Sequence, residues 1–295
     1  MRVLILGATG MLGTDLLDEW HKGESGKLEG HRDELIAAGS ADADLRDAAQ
    51  VDQLIQKPRP DWVVVCAAYT DVDGCEKNRE LAFAVNATGV ENVARSAEKI
   101  GARVFLVSTD YVFDGKGTRP YETNEPVAPI NVYGASKAAG EEALHKNSSA
   151  WCIGRTSWLF GAHGPSFPEK ILKAAETRPE LSVVNDQIGS PTYTRDLGGA
   201  IRDLVHKDAR GIVHINNEGV CSWFDFAKEI LARSSRSSIP VHPITTDQSA
   251  RPARRPNYSA MSSASLHAYG IRLRPWQEAL AAFLKERASK TQPGT

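Results

Sequence analysis

Three shortages in the sequence exclude whole classes of protein before any motif is considered. With 35 basic and 37 acidic residues, the chain has a formal net charge of only −2, which offers no electrostatic footprint for nucleic acid or for an anionic membrane surface. Its four cysteines (Cys66, Cys75, Cys152 and Cys221) show neither C-x-x-C spacing nor the density of a disulfide framework. This pattern predicts free thiols in a reducing compartment.

Long hydrophobic segments are missing as well. The longest purely apolar run covers residues 62–69, whereas a membrane-spanning helix needs about 20 such residues. The chain starts with a strand-like segment rather than a secretory signal, so we expect a cytoplasmic protein that has no membrane partner. The eight histidines form no H-x-x-x-H or similar ligand spacing, and the residues therefore predict no metal site.

Short apolar runs alternate with helical patterns along the chain. The runs are almost unbroken, which is typical of parallel strands that helices cover on both faces. Strands are predicted at residues 3–6, 34–38, 62–67, 104–108, 151–155, 181–184 and 212–215. Helices are predicted at residues 11–20, 47–55, 79–99, 131–145, 167–177, 195–206, 223–233 and 276–286. This alternation predicts an α/β fold with a Rossmann-type doubly wound parallel sheet.

No linker divides the chain, so its two parts are expected to be interleaved. Residues 1–150 should form most of the domain that carries the sheet, and residues 151–288 most of a smaller C-terminal α/β lobe. Residues 234–256 are rich in Ser, Pro and Arg and are predicted to be irregular. Residues 289–295 are predicted to be a frayed polar tail.

A glycine-rich turn follows the first strand, where Gly7-Ala8-Thr9-Gly10-Met11-Leu12-Gly13 leads into a helix. Gly7 permits the tight turn, Gly10 lets the backbone approach a pyrophosphate, and Gly13 allows the helix to pack closely on the sheet. The N-terminus of that helix offers unpaired N–H groups and a positive dipole end to the phosphates. The arrangement predicts a bound dinucleotide.

The end of the second strand bears on the choice of cofactor. An acidic residue there would bond the ribose 2′-hydroxyl of NADH, but the strand runs into Ala38-Gly39-Ser40, which favours NADPH. Asp44 and Leu45 follow closely and are candidates for contact with the adenine. Alternatively, Asp44 belongs to the solvated cap of the helix that begins at Asp47.

A tyrosine and a lysine four residues apart, Tyr133 and Lys137, fall on one face of a predicted helix. An ordinary tyrosine pKa of about 10 makes a poor acid at neutral pH, and a nearby lysine cation lowers that pKa. Thr109 and Asp110 follow the strand at 104–108, and ligands bind beyond the carboxyl ends of parallel strands. A hydroxyl there can share a carbonyl oxygen with Tyr133. Asn86 either holds water or backbone near Lys137 or caps a helical turn.

The glycine turn, the Tyr133/Lys137 pair and the hydroxyl of Thr109 resemble the extended short-chain dehydrogenases/reductases. Five stretches resemble the dTDP-4-dehydrorhamnose reductase family in particular: residues 108–115, 131–134, 155–158, 185–192 and 252–256. The resemblance covers residues 1–284. It implies NADPH (or NADH) as the cofactor, a nucleotide sugar as the small-molecule partner, and Mg²⁺ only because some members are associated with it. It leaves a homodimer open.

The resemblance also implies roles for individual residues. Tyr133 would donate a proton to the sugar C4 oxygen, and Lys137 would hold the nicotinamide ribose and lower the pKa of the phenol. Thr109 would tune the acid or bind substrate, with Asp110 beside it. The implied cofactor contacts are Gly7, Gly10, Met11, Leu12, Gly13, Asp44, Leu45, Ala68, Tyr69 and Thr70.

Three further side chains are candidates for binding the substrate. Trp158 would stack on or wall the deoxysugar nucleotide; the alternative is a core aromatic. Arg254 and Arg255 lie between prolines, and a guanidinium group suits a diphosphate. Arg254 is favoured over Arg255, and the alternative for either is a solvated basic residue.

The expected reaction is the NAD(P)H-dependent reduction of the C4 ketone of dTDP-4-dehydro-6-deoxy-L-mannose to dTDP-L-rhamnose. One alternative is a 4-ketoreductase or epimerase that acts on another nucleotide-deoxysugar. Another is a non-catalytic NADP-binding regulatory subunit of the same fold, which predicts a degraded Tyr/Lys pair. A dehydratase would carry an Asp-Glu pair after the threonine, whereas here Tyr111 follows Asp110.

Overall fold

The computed structural model describes residues 1–23 and 32–291. Its strands are β1 (Arg2–Leu6), β2 (Glu34–Ala38), β3 (Trp62–Val65), β4 (Arg103–Thr109), β5 (Trp151–Thr156), β6 (Leu159–Phe160), β7 (Leu181–Val184), β8 (Ile188–Gly189), β9 (Thr192–Tyr193), β10 (Gly211–His214), β11 (Cys221–Ser222) and β12 (Val241–Ile244). Its helices are α1 (Met11–Gly23), α2 (Ala48–Gln56), α3 (Val72–Lys77), α4 (Arg79–Phe83), α5 (Gly89–Glu98), α6 (Val132–Asn147), α7 (Phe167–Thr177), α8 (Thr194–His206), α9 (Trp223–Ala232), α10 (Thr246–Ser249), α11 (Ala264–His267) and α12 (Trp276–Thr291). None of these helices is long and apolar enough to cross a membrane.

Six parallel strands form the central sheet in the order β10-β5-β4-β3-β1-β2. Successive side chains of a strand point to opposite faces, and β1 supplies apolar residues to both. Val3 and Ile5 enter the core beneath α1 and α8, while Leu4 and Leu6 enter the core beneath α2 and α5. Burial on both faces explains why the strands are unbroken apolar runs, and it confirms the predicted doubly wound sheet.

The C-terminal half contributes to this sheet and also builds a second core. Strands β5 and β10 extend the sheet beyond β4, and α8 covers one of its faces. Helices α7, α9 and α12 enclose a separate cluster of buried side chains around Phe160, Phe226 and Phe283. The pairs β7–β12, β6–β9 and β8–β11 lie in this smaller region.

The prediction that residues 234–256 are irregular is wrong for part of that segment. Strand β12 pairs in parallel with β7, with Val241 opposite Leu181 and Ile244 opposite Val184, and α10 follows it. The strand is only partly buried and contains a proline, so neither an apolar run nor an alternating pattern marks it. Its backbone bonds to β7 define it instead.

Two predicted helices also differ from the structure. The segment predicted at 79–99 is divided into α4, a π-helical turn at Ala84–Thr88, and α5. The last helix continues to Thr291, so residues 289–291 are helical rather than a frayed tail. The remainder of that predicted tail, 292–295, lies outside the described residues.

Candidate active site

A cleft of about 1540 Å³ opens at the carboxyl ends of β1, β3 and β4 and extends to the C-terminal region. This is the edge of a parallel sheet at which ligands bind. Most of the predicted site residues line the cleft: Gly7, Gly10, Met11, Leu12, Gly13, Asp44, Leu45, Ala68, Thr70, Thr109, Asp110, Tyr133, Lys137 and Trp158. Tyr69 and Arg254 do not line it.

The glycine turn fits tightly between β1 and α1. Gly7 has a φ of +83°, and a Cβ atom there would lie 2.6 Å from the backbone nitrogen of Ala67. A Cβ on Gly13 would lie 2.2 Å from the Gly7 oxygen. Only glycine fits at both positions, so α1 can begin at Met11 with its N-terminus facing the cleft. This cradle fits a dinucleotide pyrophosphate.

The loop after β2 supplies a cation that sequence reasoning missed. Arg46 lines the cleft and donates from Nε to both Asp44 carboxylate oxygens at 2.9 Å, and it lowers the pKa of Asp44 to about 2. Asp47, not Asp44, caps α2 by accepting from the backbone nitrogens of Ala49 and Gln50. The side-chain cap of α2 is therefore Asp47, while the Asp44 carboxylate holds Arg46.

Helix α6 carries the tyrosine and the lysine into the cleft. Asn131 caps the helix by accepting from the Gly134 nitrogen at 2.7 Å. The Lys137 Nζ atom is buried and donates to the Val107 carbonyl at 2.7 Å. Burial lowers the pKa of Lys137 to about 8, although the Glu141 carboxylate opposes this change.

The pKa of Tyr133 does not follow the expectation that Lys137 lowers it. Burial raises the pKa of this phenol, a hydrogen bond with the Thr109 side chain lowers it, and the neighbouring Asp110 raises it again. The Lys137 ammonium is engaged with the backbone of β4 instead. In this structure, therefore, Tyr133 is held as the neutral phenol, which is the form that donates a proton.

Thr109 and Asp110 lie at the end of β4 beside Tyr133. Thr109 Oγ1 donates to Asp110 Oδ1 at 3.0 Å and accepts from the Tyr111 nitrogen at 3.2 Å. Burial raises the pKa of Asp110 to about 7, although hydrogen bonds with Ser259 and Thr109 lower it. A buried carboxyl group of this kind is mostly protonated below neutral pH.

Asn86 sits in the π-helical turn and holds backbone in place. Its Oδ1 accepts from the Tyr69 nitrogen at 2.8 Å, and its Nδ2 donates to the Tyr69 oxygen at 3.0 Å and to Ser136 Oγ at 2.9 Å. These bonds join the segment after β3 to α6. They fix the backbone of Tyr69 and so hold its neighbours Ala68 and Thr70 at the cleft.

Trp158 lines the cleft in an unusual conformation. Its φ is +48°, and its indole stacks on that of Trp223 with ring centroids 3.6 Å apart and planes within 6°. A Cβ on Gly189 would lie 2.5 Å from the Trp158 ring, so this glycine makes room for the stack. Sequence reasoning missed Trp223, which starts α9 and carries no distinguishing signal.

The sequence favours Arg254 over Arg255 as a substrate contact, whereas the structure places Arg255, not Arg254, at the cleft. Arg254 is exposed and contributes its carbonyl to Asn131, whereas Arg251 and Arg255 line the cleft. Asp73 fixes Arg255 through bonds of 2.8 and 3.0 Å to its two terminal nitrogens. The side chains of these two neighbouring residues lie on different sides of the segment, and composition does not reveal which one faces the cleft.

Comparisons with known proteins agree with this geometry. The family model described as RmlD substrate binding domain matches residues 1–289. The chain belongs to the dTDP-4-dehydrorhamnose reductase family. A dTDP-4-dehydrorhamnose reductase of Mycobacterium tuberculosis (strain ATCC 25618 / H37Rv) is 39% identical over 297 residues, which cover 98% of this chain and 94% of that protein.

Two further similarities extend over the whole chain. The spore coat polysaccharide biosynthesis protein SpsK of Bacillus subtilis (strain 168) is 41% identical over 288 residues, which cover 98% of both proteins. A crystal structure of dTDP-4-dehydrorhamnose reductase from Bacillus anthracis in complex with NADP has a TM-score of 0.90 and 39% identity, and the match covers 97% of this chain and 99% of that one. The chain is thus an NAD(P)H-dependent oxidoreductase of the reductase family.

The magnesium associated with some members of the family does not fit the acidic cluster of this chain. Within the described residues, Asp15, His163 and Glu286 are the group whose spacing suits a metal ion. Positive groups already occupy their oxygens: Arg195 lies 2.5 Å from Glu286 and 3.5 Å from Asp15, and Lys290 lies 3.0 Å from Glu286. A divalent cation there would face these two cations at close range, so this cluster does not fit a metal ion.

Proposed function

We propose that this chain reduces the C4 ketone of dTDP-4-dehydro-6-deoxy-L-mannose to dTDP-L-rhamnose with NADPH. The observation that carries the proposal is that Tyr133, Lys137 and Thr109 share one cleft with the glycine turn. Family membership supports the reaction class, and the NADP in the related crystal structure supports the cofactor. Arg46 beside Asp44 offers a guanidinium group for the additional phosphate of NADPH.

The bound cofactor supplies the hydride, and the chain provides orientation and the proton. Tyr133 donates its phenolic proton to the C4 oxygen as negative charge develops there. Thr109 holds the same oxygen. The Lys137 ammonium keeps one N–H on the Val107 carbonyl and uses its remaining donors for the ribose. The cofactor residues are Gly7, Gly10, Met11, Leu12, Gly13, Asp44, Leu45, Ala68 and Thr70, and Tyr69 positions the last two through its backbone bonds to Asn86.

The C-terminal region supplies the contacts for the sugar nucleotide. The Trp158–Trp223 stack provides an apolar wall, and Arg251 and Arg255 provide guanidinium groups for the diphosphate. In this proposal residues 1–150 mainly hold the cofactor, and residues 151–288 mainly hold the substrate. The four unpaired cysteines support a cytoplasmic location.

A direct assay tests the reaction. Purified protein should oxidise NADPH when dTDP-4-dehydro-L-rhamnose is added, and NMR should identify dTDP-L-rhamnose as the product. Tyr133→Phe should lower kcat by about 10²–10⁴-fold, because it removes the proton donor and little else. Tyr121→Phe, which lies outside the cleft, serves as the control and should retain activity.

Three results would contradict the proposal. NADP binding without turnover of any ketosugar would favour the regulatory subunit. An epimerised ketosugar without net NADPH consumption would favour an epimerase. Faster reduction of a different nucleotide-linked ketosugar would reassign the substrate.

A further inference from the structure

Asp73 on α3 lies outside the lining of the cleft, yet it holds the segment that carries the substrate-side arginines. Its Oδ1 atom accepts from the Ala253 backbone nitrogen at 3.1 Å and from Arg255 Nη1 at 3.0 Å, and its Oδ2 atom accepts from Arg255 Nη2 at 2.8 Å. Arg251 Nη1 lies 3.7 Å from Oδ2. One carboxylate therefore contacts both the backbone and the side chains of residues 251–255, which we call the arginine segment.

The bonds of Arg255 use only part of its guanidinium group. Nη1 donates to Asp73 Oδ1 and also to the Ala253 carbonyl, the latter at 2.7 Å, and Nη2 donates to Asp73 Oδ2. Among the described residues, no acceptor bonds Nε, and Nη2 has no second acceptor. Because a guanidinium group carries five N–H donors in a fixed fork, the edge formed by Nε and Nη2 remains for a ligand in the cleft, which Arg255 lines.

Two further bonds join this place to α6. Asn131, which caps that helix, donates from Nδ2 to the Arg254 carbonyl at 2.7 Å. Glu76 on α3 accepts from the Val132 nitrogen at 2.8 Å. The arginine segment, α3 and the start of α6 thus form one junction. Because Tyr133 directly follows Val132, this junction sets where the arginine segment lies relative to the phenol.

The charge of Asp73 does not by itself favour an anionic ligand. Burial acts to raise the pKa of Asp73, but hydrogen bonds with Arg255 and with the Ala253 nitrogen prevail and lower it, so the carboxylate is ionised. A negative charge repels a diphosphate, so any benefit of Asp73 for binding comes from the orientation that it gives to Arg255. Charge and orientation therefore predict opposite effects of removing this carboxylate.

We propose that Asp73 is a positioning residue for the sugar nucleotide, and that it fixes Arg255 so that the Nε/Nη2 edge receives the diphosphate at a set distance from Tyr133. The inference rests on the proposed function, which makes a diphosphate-linked sugar the substrate. A guanidinium edge bonds two phosphate oxygens side by side. A single hexose ring then links that diphosphate to the C4 oxygen that Tyr133 protonates. Asp73 itself does not contact the ligand.

Binding of dTDP, which carries the diphosphate but no sugar, tests this role without turnover. In calorimetric titrations, Asp73→Asn should raise the Kd for dTDP about tenfold, although it removes a negative charge, because the Arg255 fork loses its fixed orientation. The Kd values for thymidine, which has no phosphate, and for NADPH should not change. In the steady state, the KM for dTDP-4-dehydro-L-rhamnose should rise by a similar factor while kcat stays within about threefold of wild type.

Glu125→Gln is the matched control. The Glu125 side chain is 28% exposed, against 29% for Asp73. It likewise accepts from an arginine, Arg119, and from a backbone nitrogen, that of Glu122, but none of these residues lines the cleft. This variant should therefore match wild type in every titration.

A double-mutant cycle separates positioning from a general loss of structure. Asp73→Asn should add less than about twofold to the Kd for dTDP of Arg255→Ala, because Arg255 is the group that Asp73 positions. Arg255→Lys keeps the charge but has no fork, so it should weaken dTDP binding nearly as much as Arg255→Ala. The lysine variant can be measured even if Asp73→Asn fails to fold.

Several outcomes would overturn the inference. An unchanged or lower Kd for dTDP in Asp73→Asn would leave Asp73 as a charge only. Additive losses in the double variant, or an equal loss of thymidine binding, would assign Asp73 to general structure. Wild-type affinity for dTDP in Arg255→Lys would show that the fork is not the contact. If dTDP binding responds as expected but the wild type turns over no ketosugar, the proposed reaction fails and the binding role of Asp73 stands.

Discussion

At the scale of single residues, the site depends on a few positions where a side chain is forced into place. Trp158 adopts a left-handed backbone conformation that costs a non-glycine residue about 1–3 kcal/mol. Stacking on Trp223 and the missing Cβ of Gly189 keep it there. Because the strain lies at the cleft wall, we expect the position of the indole to matter for substrate binding.

The fit at Gly189 can be tested by a single methyl group. Gly189→Ala should push the Trp158 ring out of its stack, at a cost of about 1–3 kcal/mol, and raise the KM for the sugar nucleotide about tenfold. The Kd for NADPH should not change, because the glycine turn is untouched. Gly199→Ala is the matched control, since a Cβ there meets nothing within 4 Å. Equal KM values for the two variants would show that Trp158 does not contact substrate.

At the scale of elements, a buried ion pair fixes α6 against the sheet. Glu141, one turn after Lys137, accepts from Ser108 Oγ on β4 at 2.5 Å and from Arg155 Nη2 on β5 at 2.6 Å. Ser108 directly follows Val107, whose carbonyl receives the Lys137 ammonium. The pair therefore sets the height at which α6 presents Lys137 and Tyr133 to the end of β4.

Removing the charge of Glu141 should be costly. Glu141→Gln leaves the Arg155 guanidinium buried and unpaired, and breaking a buried pair costs about 3–5 kcal/mol. The free energy of unfolding in urea measures this loss. Glu142→Gln, the adjacent residue on the exposed side of α6, should change it by less than about 1 kcal/mol, because its pair with Lys146 is solvent-exposed. Similar losses in both variants would contradict the role given to the buried pair.

The sequence predicts features that depend on local patterns better than features that depend on distant partners. The glycine turn, the Tyr133/Lys137 pair and Thr109 are local patterns, and each falls on the predicted strand or helix because periodicity sets the face. Strand β12 and the orientation of Arg254 depend on distant partners: β7 for the strand, and Asn131 and Asp73 for the arginine segment. Pairings of this kind leave no periodic signal in one chain.

At the scale of the whole molecule, one charged cluster joins α1, α8 and α12. Asp15 on α1 is fully buried, accepts from Thr194 and faces Arg195. Arg195 in turn binds Glu286 on the last helix. Because α1 also begins at the glycine turn, the cluster ties the cofactor cradle to the C-terminal region.

This cluster makes stability sensitive to acid. Burial acts to raise the pKa of Glu286, but hydrogen bonds from Arg195, Tyr193 and Lys290 prevail and lower it to about 2, from an ordinary 4.5. A depressed pKa adds stability that is complete above pH 4.5 and is lost as pH falls towards 2. The free energy of unfolding should therefore decline over this range in wild type, and less steeply in Glu286→Gln. Identical slopes would contradict the assignment.

Thermal melting tests the role of metal. Because Arg195 and Lys290 already neutralise the cluster, neither EDTA nor added Mg²⁺ should shift the Tm of wild type. A rise of several degrees with Mg²⁺ would show that a cation binds despite these groups.

The indole stack in the cleft has an optical consequence. Of the six tryptophans in the chain, Trp158 and Trp223 line the cleft. Trp20, Trp62 and Trp276 are buried in the cores, and Trp151 is half-buried outside the cleft. A nucleotide base or sugar that contacts the stack alters the solvent around two fluorophores and leaves the buried ones unchanged. Intrinsic fluorescence thus becomes a built-in reporter of occupancy on the substrate side of the cleft, and it needs neither turnover nor an added label.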